Sequence, residues 1–92
     1  MFPTELDGAR VLFYTPHGDY GAIKYPNGDV ADHYHYLAIC KYAQDDHFYL
    51  FCCNANYEVV CDRMESSIEN CMQIAVASSG ENIIWNKPHR YN

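Results

Sequence analysis

His33 and His35 stand two residues apart. In an extended strand, residues i and i+2 point the same way, so the two imidazoles share a face and could begin a metal site. A zinc site needs three or four ligands. Asp32 and His47 are the nearest further candidates along the chain. A register that pairs Tyr42 with Phe48 would put His47 at the far end of that hairpin from His35. The third ligand is then missing, so no metal is expected, and both histidines are read as partly exposed strand residues.

The cysteines are Cys40, Cys52, Cys53, Cys61 and Cys71. Cys52 and Cys53 are adjacent; in a strand they point to opposite faces and cannot chelate one ion. Cys40, Cys52 and Cys61 are expected on one face, as small buried hydrophobes beneath a helix rather than as a thiolate cluster. A cysteine nucleophile needs a base in reach and a lowered pKa, and no ordered triad accompanies these residues. Asp45-Asp46 resembles a carboxylate pair but falls in a turn, where Asp is a usual choice. His17-Gly18-Asp19 and Asn27-Gly28-Asp29 hold single glycines, not a phosphate-cradling loop that opens a helix. No catalytic residue and no cofactor is expected, and the chain is read as a non-enzyme.

The elements that would carry these residues follow from patterning. A first strand is expected over Arg10–Thr15 and a weaker one over Ala22–Tyr25. Pro26-Asn27-Gly28-Asp29 then gives a strong turn signal, because Asn-Gly tolerates positive φ. Three strands follow, at about Tyr34–Tyr42, His47–Cys53 and Tyr57–Asp62. Alternation puts Tyr36, Ala38, Cys40, Leu50, Cys52, Val59 and Cys61 on one face. Leu37, Ile39, Tyr49, Phe51, Cys53 and Val60 fall on the other. The first set is rich in small residues and is expected to receive a helix at close range. Ser66-Ser67-Ile68-Glu69 reads as a capping box with Ser66 at the N-cap. Ile68, Cys71, Met72, Ala75 and Val76 form the stripe of a helix near Ser67–Ser79, with Gly80 as its C-terminal cap. A short strand over Asn82–Trp85 precedes a polar tail, in which Pro88 opposes further strand pairing.

The fold expected is α+β, an antiparallel meander of four to six strands with one helix on one face. Ninety-two residues make a single domain, 1–92. The apolar share of 49% excludes a disordered segment. A net charge of −6 argues against nucleic-acid binding and against anionic membrane surfaces. No stretch is apolar for long enough to cross a membrane, and no apolar leader follows Met1. The odd cysteine count argues against a secreted disulfide framework, so a reducing, cytoplasmic setting is expected.

The segments LDGARVLFY (Leu6–Tyr14) and YLAICKYAQDDHFYLFCCNANYEVVCDRMESSIENCMQIA (Tyr36–Ala75) resemble a loose group of small bacterial proteins. The likeness rests on Leu37-Ala38-Ile39-Cys40, Tyr42, Phe48-Tyr49-Leu50-Phe51, Cys53, Val59, Asp62, Ser67-Ile68-Glu69 and Trp85. Tyr57 stands where the group usually has Trp. The resemblance implies a shared architecture and, by analogy, a toxin-immunity or inhibitor role.

Both faces of the ribbon are apolar, and one helix covers only one of them. The second face, with nine tyrosines and the acidic balance, points to non-catalytic binding and neutralisation of a basic protein partner. Leu37, Ile39, Tyr49, Phe51 and Val60 are the expected patch, with Glu58 and Asp62 as its acidic rim. The competing class is a small Cys/His-dependent ligand-binding or enzymatic domain, which metal analysis would expose. Self-association into a homodimer is a further reading, separated by light scattering.

Overall fold

The computed structural model of the protein describes residues 1–88. β1 (Glu5–Leu6) and β2 (Ala9–Tyr14) form a hairpin around Asp7 and Gly8. Both turn residues have positive φ, +49° and +81°, as a two-residue type I′ turn requires. β3 (Ala22–Lys24) and β4 (Val30–His33) form a separate two-stranded ribbon around the Pro26–Asp29 turn. There Gly28 takes φ +94° and its amide donates to the Tyr25 carbonyl at 2.9 Å.

β5 (Tyr36–Lys41), β6 (Phe48–Cys53) and β7 (Val59–Glu65) follow, then α1 (Ile68–Ser79). The main sheet is antiparallel and curled, in the order β1-β2-β5-β6-β7. The fold is therefore α+β. β1 and β4 are additional to the expected strands. No strand forms over Asn82–Trp85; the next residue, Asn86, makes a single bridge to Tyr14, with reciprocal bonds of 2.9 and 2.8 Å. The end of the polar tail, 89–92, lies outside the described residues. Among the described residues no helix is long and apolar enough to cross a membrane.

The expected faces need correction. Cys40 opposes Tyr49, and Ala38 opposes Phe51. Pairing Tyr42 with Phe48 would instead have put Cys40 opposite Leu50. A slip of one residue moves every side chain of a strand to the other face. The loop sets the true register. The Asp45 amide donates to the Tyr42 carbonyl at 3.3 Å, and the Asp45 carboxylate takes the His47 amide at 2.8 Å.

The helix therefore packs on Leu37, Ile39 and Leu50, not on the Ala38–Cys40 face. Close approach is still achieved with small residues, but these belong to the helix: Cys71 and Ala75, both fully buried. Phe13, Tyr20, Ile83 and Trp85 close the margin of this core. Phe13 reaches it because a bulge interrupts β2 between Val11 and Phe13. In a regular strand Val11 and Phe13 would share a face; here Val11 packs on the other side.

The second face is covered from within the chain. Phe2, Leu6, Ala9 and Val11 pack with Ala38, Cys40, Phe51 and Cys53. The Phe2 ring stacks on Tyr14 at 4.5 Å and meets Tyr36 and Tyr57 edge-on at 5.5 and 5.3 Å. Much of the tyrosine excess thus walls an internal core.

The N-cap is Ser67, not Ser66: its backbone is extended and its Oγ accepts the Asn70 amide at 3.0 Å. Ser66 takes the Asn70 side-chain amide instead, at 2.9 Å. Gly80 ends the helix with φ +98° and ψ 177°, a glycine conformation outside the left-handed helical region, while its amide bonds the Val76 carbonyl.

Candidate binding edge

The seven residues of the expected patch do not form one surface. Leu37 and Ile39 are 1% and 0% exposed and lie under the helix. Phe51 is 1% exposed and lies in the opposite core. Tyr49 is half-buried, and its hydroxyl donates to Asp45 Oδ2 at 2.7 Å. Glu58, Val60 and Asp62 are exposed. They sit on or beside β7, and Glu58 is held by Asn54 through both its amide and its carboxylate. The register slip and the cover provided by Phe2 and Leu6 explain why the patch divides.

What remains accessible is β7 itself, the last strand of the main sheet. All five of its residues from Val60 to Met64 are exposed. Val60 and Met64 are apolar and 46% and 55% exposed. Val60 is the extra residue of a bulge opposite Cys52 and Cys53. From Cys61 to Glu65 the pairing with β6 is continuous, residue by residue. One backbone edge of that stretch has no neighbouring strand among the described residues. An open edge of this kind presents unpaired N–H and C=O groups to any further strand. The opposite margin of the sheet offers much less, since β1 has only two residues.

The histidines gather, but not as a metal centre. His17 stacks on His35 with centroids 4.7 Å apart, and His33 lies 6.5 Å from His35. His33 Nδ1 contacts Asp19 Oδ1 at 3.0 Å, and His35 Nδ1 contacts the Gly18 carbonyl at 3.0 Å. These bonds tie the ribbon to the segment before it. Among the described residues, no three His, Cys, Asp or Glu side chains are placed to hold a metal ion. Asp19 is held below the usual carboxylate range, first by the Gly21 amide and then by His33.

Asp45 is held down to about 2 by the Tyr49 hydroxyl, then by the His47 amide and ring. The acid so held serves the turn.

All five cysteines are free thiols. Burial pushes Cys40 far up, Cys52 and Cys53 up to about 12, and Cys71 up to about 11. Burial thus slows the reaction of those four with reagents from solution. Cys40 does not share a face with Cys52 and Cys61; it packs in the core around Phe2, while Cys52 and Cys61 oppose one another on the helix side. Cys61 is exposed. Both line a cleft of about 340 Å³ together with Tyr20, Tyr34, Arg63 and Ile74.

No family model, curated protein or solved structure matches the chain.

Proposed function

We propose that the protein binds a partner protein without catalysis, and that the contact is made along β7. The partner supplies an extended segment that adds a strand beyond β7, with main-chain hydrogen bonds giving affinity. The single observation carrying this reading is the open, regularly paired edge from Cys61 to Glu65. Val60 and Met64 offer apolar anchors, and Glu58 and Asp62 lie beside them as acid groups. With a net charge of −6, the complementary partner is basic, and charge speeds encounter more than it tightens the complex. The most concrete form is neutralisation of a basic toxin or enzyme by occlusion, in keeping with the immunity-type resemblance. Five unpaired thiols favour a reducing, cytoplasmic setting.

The experiment is co-expression with the product of the adjacent gene, comparing the wild type with the Val60→Lys/Met64→Lys double variant. The wild type is expected to co-purify as a complex. The double variant is expected to bind at least about tenfold more weakly, as loss of anchor residues does, with an unchanged melting temperature. Undiminished binding by the double variant would remove β7 as the contact. Light scattering on the isolated chain separates partner binding from edge-to-edge pairing of two copies.

A further inference from the structure

Cys52 and Cys61 are nine positions apart in sequence but directly opposite one another across β6 and β7. Directly opposed residues in an antiparallel pair have Cα atoms about 4.5–5.5 Å apart, inside the roughly 4.4–6.8 Å window that a disulfide spans. Tyr34 lines the same cleft as the two thiols. The two cysteines differ in access: Cys61 is exposed and Cys52 half-buried. Both line the cleft between the sheet, the helix C-terminal end and Tyr34. β7 is an edge strand with a bulge next to Cys61, so it is free to adjust where a new bond would form.

We propose that Cys52 and Cys61 form a thiol–disulfide exchange site that takes low-molecular-weight disulfides, R–S–S–R, and closes into a cross-strand disulfide. Cys61, as thiolate, attacks one sulfur of the small disulfide. The R–S–S–R bond breaks, a Cys61–S–S–R mixed disulfide forms, and the departing RS⁻ takes up the proton Cys61 lost. Cys52, losing its own proton, then attacks the Cys61 sulfur. The bond to R breaks, the Cys52–Cys61 bond forms, and the second RS⁻ leaves as RSH. Two protein thiols are oxidised by two electrons while one small disulfide is reduced to two thiols. Burial raises Cys52, so the second step is the slower one. Arg63 lines the same cleft, its Nε donating to Glu65 Oε2 at 2.9 Å. The partly exposed position of the bond places it among disulfides that are readily reduced again. The inference does not depend on β7 having a protein partner.

The test treats the reduced full chain with oxidised glutathione, removes excess reagent, and maps the products by mass spectrometry after alkylation. The expected product has lost two hydrogens, with the crosslink between Cys52 and Cys61 and with Cys40, Cys53 and Cys71 alkylated only after unfolding. Cys52→Ser is expected to stop at a stable glutathione adduct on Cys61. Cys52→Ala, which keeps the position apolar, repeats that arm. Cys61→Ser is expected to slow adduct formation by at least about tenfold, since reactivity follows exposure and thiolate access. A wild-type adduct that persists on Cys61, a crosslink through any other cysteine, or a rate indifferent to Cys61→Ser would overturn the proposal.

Discussion

The Leu37 amide donates to the Thr15 hydroxyl at 2.9 Å, and the Thr15 amide donates back to the Leu37 carbonyl at 2.9 Å. Thr15 is fully buried, the one polar side chain so placed among the described residues. It follows β2 and precedes Pro16, which has no amide to donate. The Thr15 side chain thus takes over from the backbone where the β2–β5 ladder ends. Thr15→Val keeps the shape but leaves the buried Leu37 amide unpaired. It is expected to cost about 1–3 kcal/mol in denaturant melts, whereas Thr15→Ser, which retains the acceptor, should cost less.

Phe51 belongs to the core closed by Phe2. Phe51→Ala is expected to destabilise the fold by about 3–5 kcal/mol. Val60→Ala, at an exposed position on β7, should stay within about 0.5 kcal/mol. Urea unfolding of the two variants side by side checks this. Equal stabilities would mean that the face under Phe2 is not a core.

The helix cap gives a sharper comparison, because Ser66 and Ser67 are adjacent and chemically identical. Ser67→Ala is expected to cost about 1 kcal/mol, as N-cap loss does. Ser66 accepts only a side-chain amide, so Ser66→Ala should be closer to neutral. Thermal melts of both variants distinguish the two caps.

The Asp45 carboxyl titrates at about 2 in the folded protein, against an ordinary value near 3.9 in an unfolded chain. A lowered folded pKa stabilises above the unfolded value, and that contribution is lost as pH falls through the folded one. Asp45 therefore contributes fully above about pH 4 and loses its contribution on the way to about pH 2. Asp45→Asn is expected to lower the melting temperature near neutrality and to flatten its fall over that acid window. A melting-temperature profile against pH for both proteins measures the difference.

Local signals reached a good part of this fold. The apolar alternation of residues 36–42 and 47–53, the Asn27-Gly28 turn and the helix from Ile68 are set by short-range periodicity and backbone preference, which a sequence displays directly. The Asp7-Gly8 pair is an equally local signal, and its turn makes β1 and brings Phe2 and Leu6 to the sheet. The β5–β6 register decides which residues occupy the second face. Whether Cys40 faces Leu50 or Tyr49 turns on one residue, decided by Asp45 folding its carboxylate onto the His47 amide. Periodicity is blind to that choice, because both registers alternate equally well. The bulge that parts Val11 from Phe13 is likewise a matter of which strand lies alongside. Local periodicity suffices for the longer strands and the helix, and composition for the acidic balance. That the second apolar face is an internal core, that β7 is an open sheet edge among the described residues, and that Cys61 stands opposite Cys52 are facts of the tertiary structure. Those relations depend on pairings between distant segments, whose register and cover come from packing rather than from any local run of residues.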